Sequence, residues 1–148
     1  MIDIIQRTCE LTSKYEGCRL TSYKDPVGIW TIGYGNRYIN NLPVKPNQKI
    51  TQDQANDLLD ITLNNLYVQI NKLLPGLSDN QMVAVLDFSY NVGLYAFEKS
   101  TLFSKLKSGD YNMASKEFNK WIYSSGKVLP GLVRRRQEET NIFLGLEE

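Results

Sequence analysis

Histidine is absent from all 148 residues, and that absence removes several chemistries. Ser–His and Cys–His nucleophile pairs need an imidazole base and cannot be built. Zinc sites of the histidine-rich hydrolytic kind are excluded as well. Hydrolysis would have to run on carboxylates, hydroxyls, lysine, tyrosine or a thiol without imidazole, so carboxylate chemistry is the natural candidate. Cysteine is scarce: Cys9 and Cys18 make no disulfide framework. Both read as free thiols acting as small core hydrophobes, in a chain made in a reducing compartment. Neither sign of charge dominates, with 17 Lys+Arg against 16 Asp+Glu. Nucleic-acid binders usually show a basic excess or stripe, so nucleic acid is not an expected partner. Long apolar runs are missing too. Asp3, Arg7 and Glu10 interrupt the first residues, which read as neither a signal peptide nor a membrane anchor. The expected product is cytosolic and soluble, without stable membrane insertion.

What is present suffices for a core: 42% of the residues are hydrophobic and 22% charged, a globular balance. The length favours one domain, residues 1–148, or two small lobes sharing a core. Residues 3–15 place Ile4, Ile5, Cys9, Leu11 and Tyr15 on one side of a helix, which Gly17 is placed to stop. Residues of about 16–50 hold Pro26, Pro43 and Pro46, the glycines Gly28, Gly33 and Gly35, and the run Ile29-Trp30-Thr31-Ile32. They predict a small β lobe of short strands and turns. Thr51 and Gln54 form a capping-box pattern that opens a long helix to about Leu74, where Pro75-Gly76 ends it. Ser78 and Gln81 repeat the pattern for a helix to about Tyr90. Ser100 caps a short helix closed by Gly109. Asp110 caps another, running through Phe118 and Trp121 to near Gly126. A last helix runs from near Pro130 to Gly145. The architecture is α+β: a β lobe, a connecting helix of about 51–74, and a helical lobe of about 75–148 on which helix 3–15 packs. Two lobes joined by one helix leave a cleft suited to a polymer.

Three residues stand out in that frame. Glu16 ends the first helix, where the dipole disfavours negative charge. Asp25 lies in the first turn of the β lobe, and Thr31 in the strand after it. Glycosidic cleavage needs a proton donor at the leaving oxygen and a second group that meets the developing charge or aims a water. Two carboxyls in different environments divide such roles. Glu16, partly desolvated, would donate. Asp25, in a wetter hairpin, would stay ionised and place water with Thr31. Bland readings exist for each: a solvated helix end, a turn aspartate bonding its own backbone, and a strand former.

The pattern Glu16-Gly17, Arg19-Leu20, Tyr23, Asp25, Gly28, Trp30-Thr31-Ile32-Gly33-Tyr34-Gly35 resembles the phage-type lysozymes, or endolysins, of the glycoside hydrolases. Eight residues separate Glu16 from Asp25, and five separate Asp25 from Thr31, which is that family's catalytic spacing. Phe88-Ser89-Tyr90-Asn91-Val92-Gly93 and Gly131-Leu132-Val133-Arg134-Arg135-Arg136 extend the likeness over nearly the whole chain. The resemblance implies a lysozyme-like fold and hydrolysis of the β-1,4 bond between N-acetylmuramic acid and N-acetylglucosamine in bacterial peptidoglycan. Glu16 would be the acid, with Asp25 and Thr31 placing water. It implies neither cofactor nor metal. It also implies phage or prophage origin, host lysis, and a chain that waits in the host cytoplasm until a holin permeabilises the membrane. If a water fits between Asp25 and the sugar, the carboxyls should stand in the inverting range of roughly 6.5–9.5 Å.

Supporting residues follow less directly. The turn around Gly35 lets the backbone approach the sugar, and Asn36 stands where many members of the family have His or Thr. Tyr23 is a candidate cleft wall, and Asn91 a candidate donor to an N-acetyl group. Trp30 alternates with Thr31 and is expected in the core. The three arginines span about 200° of a helix, so not all can face the cleft; Arg136 is the preferred one. Monomer is the default state. Two other readings are weighed: a lytic transglycosylase, which would not need the water-handling pair, and a catalytically silent wall-binding module, which would have lost the acid. A stem-peptide amidase is nearly excluded by the missing histidine.

Overall fold

The structure is a computed structural model and describes residues 3–146. Helix α1 spans Ile4–Glu16 and turns Ile5, Thr8, Leu11 and Thr12 inward. Gly17 ends it with φ +68°, a conformation open to glycine and costly for other residues. The chain then runs into the antiparallel hairpin of β1 (Arg19–Lys24) and β2 (Trp30–Gly33), with Tyr23 opposite Thr31 and an irregularity between Arg19 and Tyr23. A second ribbon pairs β3 (Tyr38–Ile39) with β4 (Leu42–Pro43). Its turn residues Asn40 and Asn41 both have positive φ, the geometry that matches strand twist in a two-residue turn.

Both capping boxes form as the sequence predicts. Thr51 and Gln54 exchange bonds at the start of α2 (Gln52–Leu73), and Ser78 and Gln81 do so at α3 (Asp79–Val92). Helix α2 buries Ala55, Leu59, Leu63, Leu66 and Ile70, a stripe at helical period. Helix α3 is the centre of the molecule, with every residue from Met82 to Ser89 buried. It packs on α1, on α2 and on α7 (Pro130–Phe143). Phe88 anchors an aromatic cluster, meeting Phe97, Phe118 and Trp121 at centroid distances of 6.1, 5.6 and 5.3 Å, edge to face as ring quadrupoles prefer.

Between α3 and α7 the sequence expectation needs correction. A short α4 (Leu94–Glu98) precedes α5 (Thr101–Lys107). The helix expected from Asp110 to Gly126 is only α6 (Tyr111–Ala114), followed by a 3-10 turn at Phe118–Lys120. Asp110 does cap its helix, accepting from the Met113 amide at 3.2 Å. Ser115 then bonds back to the Asn112 carbonyl at 2.7 Å, a local alternative that competes with helix continuation. The remainder folds into a ribbon of β5 (Tyr123–Ser124) and β6 (Lys127–Val128). Ser125 and Gly126 turn it with φ of +52° and +79°, again a two-residue hairpin turn.

Trp30 is corrected as well. It is half-buried, belongs to a two-stranded hairpin and lies under Lys24, whose Nζ is 5.5 Å from the ring centroid. Trp121 is the tryptophan that packs against the core. Cys9 and Cys18 are free and half-buried. Burial pushes the Cys9 thiol up to about 11, which keeps it a thiol, the form of an inert packing residue.

Candidate active site

A cleft of about 1130 Å³ opens between the ribbon side of the molecule and α2 and α3. Four of the sequence-chosen residues line it together: Glu16, Gly35, Asn36 and Asn91. Among the described residues, Glu16 and Arg37 are the only charged side chains on its wall, and much of the remainder is neutral amide from asparagine and glutamine. Tyr23, Asp25 and Thr31 do not line this cleft. Asp25 is tied to it through Arg37, which lines the cleft and holds the Asp25 carboxylate at 2.8 Å.

Glu16 is the last residue of α1, and its Oε2 accepts from Arg135 Nη1 at 2.6 Å. The arginine facing it is therefore Arg135, correcting the preference for Arg136. Arg136 is wholly buried; its Nη2 donates to Asn91 Oδ1 at 2.6 Å, and its Nε stands 3.1 Å from Glu139 Oε1. Arg135 and Arg136 both go inward, while Arg134 stays at the surface. Arg135 also grips Asp87 with two bonds, at 2.9 and 2.8 Å. This fork-on-carboxylate geometry orients a guanidinium and compensates its charge before Glu16 is reached. Thr12 adds a third bond to Asp87 at 2.7 Å.

Asp25 organises its own turn. Its Oδ1 accepts from the Val27 and Ile29 amides at 3.0 and 2.9 Å, and Oδ2 from Arg37. The Ile29 amide above all, with Arg37 and the Val27 amide, holds the carboxyl below its usual value, together outweighing the upward push of burial. Asp25 is thus a turn residue and an ionised carboxylate at once. Thr31 is buried, its hydroxyl donating to the Ile29 carbonyl at 2.9 Å. Tyr23 is half-buried beneath Arg19, whose guanidinium carbon lies 4.4 Å from the ring centroid.

The tight turn Ile32–Asn36 shapes the cleft floor through paired backbone bonds. Gly35 has φ +100°, and a side chain there would meet the Tyr90 hydroxyl at 3.9 Å. That hydroxyl donates to the Tyr34 carbonyl, so Tyr90 braces the turn from α3. Asn36 donates to Thr62 Oγ1 at 3.3 Å, while its Oδ1 is enclosed without a partner among the described residues. Asn91 has its oxygen taken by Arg136, leaving its amide hydrogens for the cleft, as a role toward an acetamido group would need.

Asp87, Glu139, Arg37 and Tyr90 were missed in the sequence. One signal was present: Asp87 is a lone carboxylate in the apolar run Val83-Ala84-Val85-Leu86-Asp87-Phe88, and a charge in such a run has to find a buried partner.

An acidic helix end clamped by a buried arginine thus faces an amide-lined cleft in an α+β fold. The phage lysozyme family pattern matches residues 13–139, and the chain belongs to that family. It is 38% identical over 147 residues to the endolysin of Acyrthosiphon pisum secondary endosymbiont phage 1, covering 95% of this chain and 97% of that one. It is 37% identical to the endolysin of Bacillus phage B103 over 97% of its own length, but spans only 54% of that relative. The SAR-endolysin of Bacteriophage PS119 is 33% identical, over 87% of this chain and 76% of that protein. Among solved structures, the endolysin from Escherichia coli O157:H7 phage FAHEc1 superimposes with a TM-score of 0.83 at 29% identity, over 97% of this chain and 94% of that one.

Proposed function

We propose that this chain is a peptidoglycan-cleaving muramidase, hydrolysing the β-1,4 bond between N-acetylmuramic acid and N-acetylglucosamine with inversion. The observation that carries the reading is Glu16: among the described residues it is the single carboxylate on the wall of the amide-lined cleft. Arg135 takes its Oε2, which leaves Oε1 unbonded among the described residues and available toward a sugar. In the protonated form, Glu16 gives its proton to the glycosidic oxygen as the bond to the anomeric carbon breaks. A water attacks that carbon from the opposite face, and Asp25 accepts the proton the water sheds. Thr31 donates to Ile29 and so keeps lone pairs free to orient that water. Asn36 and Asn91 match the hydrogen-bonding needs of acetamido groups, and the backbone at Gly35 admits close approach.

Host lysis and release through a separate holin belong to the same proposal. Helix α1 carries Arg7, Glu10 and Lys14, and its apolar side packs on α3. Expression in a host with and without a holin tests the point. Lysis without one would place this chain's behaviour outside the proposal, and the likeness to a relative named a SAR-endolysin makes the comparison worth running.

Mass spectrometry of the soluble products from purified peptidoglycan, run beside Glu16→Gln, tests the chemistry. Reducing N-acetylmuramic acid ends, absent from the variant, are expected. Anhydro ends would mean a lytic transglycosylase. That outcome has a basis in the geometry, since Asp25 stands outside the cleft that Glu16 lines. Normal lysis by the variant would remove Glu16 from the acid role.

A further inference from the structure

Two buried carboxyls have no part in that reaction. Asp87 on α3 and Glu139 on α7 are both fully buried. They sit among Arg135 and Arg136 of α7, with Thr12, Tyr15 and Glu16 contributed by α1 and Asn91 by α3. Asp87 accepts three bonds of good geometry, two from Arg135 and one from Thr12. Glu139 is different. Its Oε2 is 3.9 Å from Arg135 Nε and its Oε1 3.1 Å from Arg136 Nε, yet neither oxygen has a hydrogen-bond partner among the described residues. Three carboxyls, Glu16, Asp87 and Glu139, face two guanidiniums. Glu139 is the weak point of the cluster: fully buried with neither oxygen hydrogen-bonded among the described residues, its ionised form would hold a poorly compensated charge in the core, which is strongly unfavourable. One proton on Glu139 removes it and turns an acceptor without partners into a donor.

We propose that Asp87 and Glu139 hold one proton between them, and that Asp87, by clamping Arg135, is a positioning residue for Glu16. The proposal rests on the reading of Glu16 as the acid. Its electrostatics agree. Burial, then the neighbouring Asp87 carboxylate, push the Glu139 carboxyl well above its usual value. At Asp87 burial acts upward too, but Glu139, Arg135 and Thr12 outweigh it and hold the group below the usual value. Two carboxyls driven apart in this way titrate as a pair. Asp87 fixes the guanidinium through two of its nitrogens, so the third can reach only one place, and Glu16 Oε2 is found there.

The test uses the intact chain with Asp87→Asn, Glu139→Gln and Glu16→Gln, measuring kcat, KM and the pH profile on soluble peptidoglycan fragments. Asp87→Asn should lose roughly 10²-fold in kcat, the scale of a small misplacement at a reacting centre, with KM little changed. Its pH profile should change as well, because Arg135 then loses one of its two carboxylate partners. Glu139→Gln should fold and keep most of the wild-type kcat, since an amide replaces a neutral acid as donor. Carbon-13 NMR of the wild-type Glu139 carboxyl should show the protonated form at neutral pH, whether or not Asp87→Asn folds. An ionised Glu139 signal would overturn the shared proton, as would loss of folding or activity in Glu139→Gln. Wild-type kcat and pH profile in Asp87→Asn would overturn the positioning role. If Glu16→Gln lyses walls normally, it is the reading of Glu16 that fails, and the NMR result stands apart from it.

Discussion

Two arginine–carboxylate pairs serve the candidate cleft, and they are built in opposite ways. Arg37 and Asp25 are twelve residues apart, within the β lobe, and Arg37 keeps 49% of its side-chain surface exposed. Arg135 joins three helices, bonding Asp87 from α3 and Glu16 from α1, with 4% of its side chain exposed. The N–O distances are alike, at 2.6–2.8 Å, so distance does not separate them. Environment does. An exposed pair is solvated and screened, and its partners have water to fall back on. A buried pair has already lost its water, so breaking it leaves a charge stranded.

The largest test of that contrast is Arg135→Met. It strands Asp87 beside Glu139 in the core, and the expected cost is about 3–5 kcal/mol of stability, the usual range for removing one partner of a buried pair. Urea unfolding measures it, and wall lysis should be lost as well. Thr12→Val comes next. It removes one of three bonds to Asp87 in a nearly isosteric way, and a hydrogen bond to a charged group contributes about 1.5–3 kcal/mol. A variant as stable as wild type would mean that Arg135 alone suffices for Asp87.

The buried side also has a pH signature. Glu139 in the fold lies above its ordinary 4.5. A raised folded-state value contributes stability that is complete below the unfolded value and is lost as pH rises through the folded one. Measured against Glu139→Gln, wild type should therefore fare best at acid pH and lose ground steadily above about pH 4.5. A difference in unfolding free energy that stays flat with pH would show that Glu139 is ionised in the core.

The two pairs also differ in how far the sequence revealed them. Glu16 at a helix end, Asp25 in a Pro-Val-Gly turn and the two capping boxes rest on neighbours within a few positions, and propensity and spacing carry such signals. The choice among Arg134, Arg135 and Arg136 does not. Consecutive helical residues differ by 100°, and which of them goes inward depended on Asp87, 48 residues away. The ribbon at 123–128 was readable, because Ser125-Gly126 is a turn pair. Its aromatic surroundings fitted a helix as well as a strand, and burial of Phe118 and Trp121 against Phe88 decided the matter from outside the segment. Trp30 failed for the same reason in reverse: alternation fixed the face it occupies but not what would pack there.

The smallest effect is expected on the exposed side, where it separates turn from ion pair. Arg37→Ala should leave thermal unfolding unchanged near neutral pH, because Arg37 is half in water and the turn keeps its own bonds. Asp25 lies below its ordinary 3.8 in the fold, first through the Ile29 amide and only then through Arg37 and the Val27 amide. A lowered carboxylate contributes above its unfolded value and loses that contribution as pH falls through the folded one. Removing Arg37 takes away part of the lowering, so the acid limb of activity should move to higher pH by a modest amount. Asp25 keeps both amide bonds and stays ionised in the neutral range, where kcat should change little. If the acid limb does not move at all, the turn alone sets the state of Asp25 and Arg37 serves the substrate. If kcat collapses at neutral pH, Arg37 has been placed on the wrong side of the comparison, and the exposed pair positions its carboxylate as firmly as the buried one does.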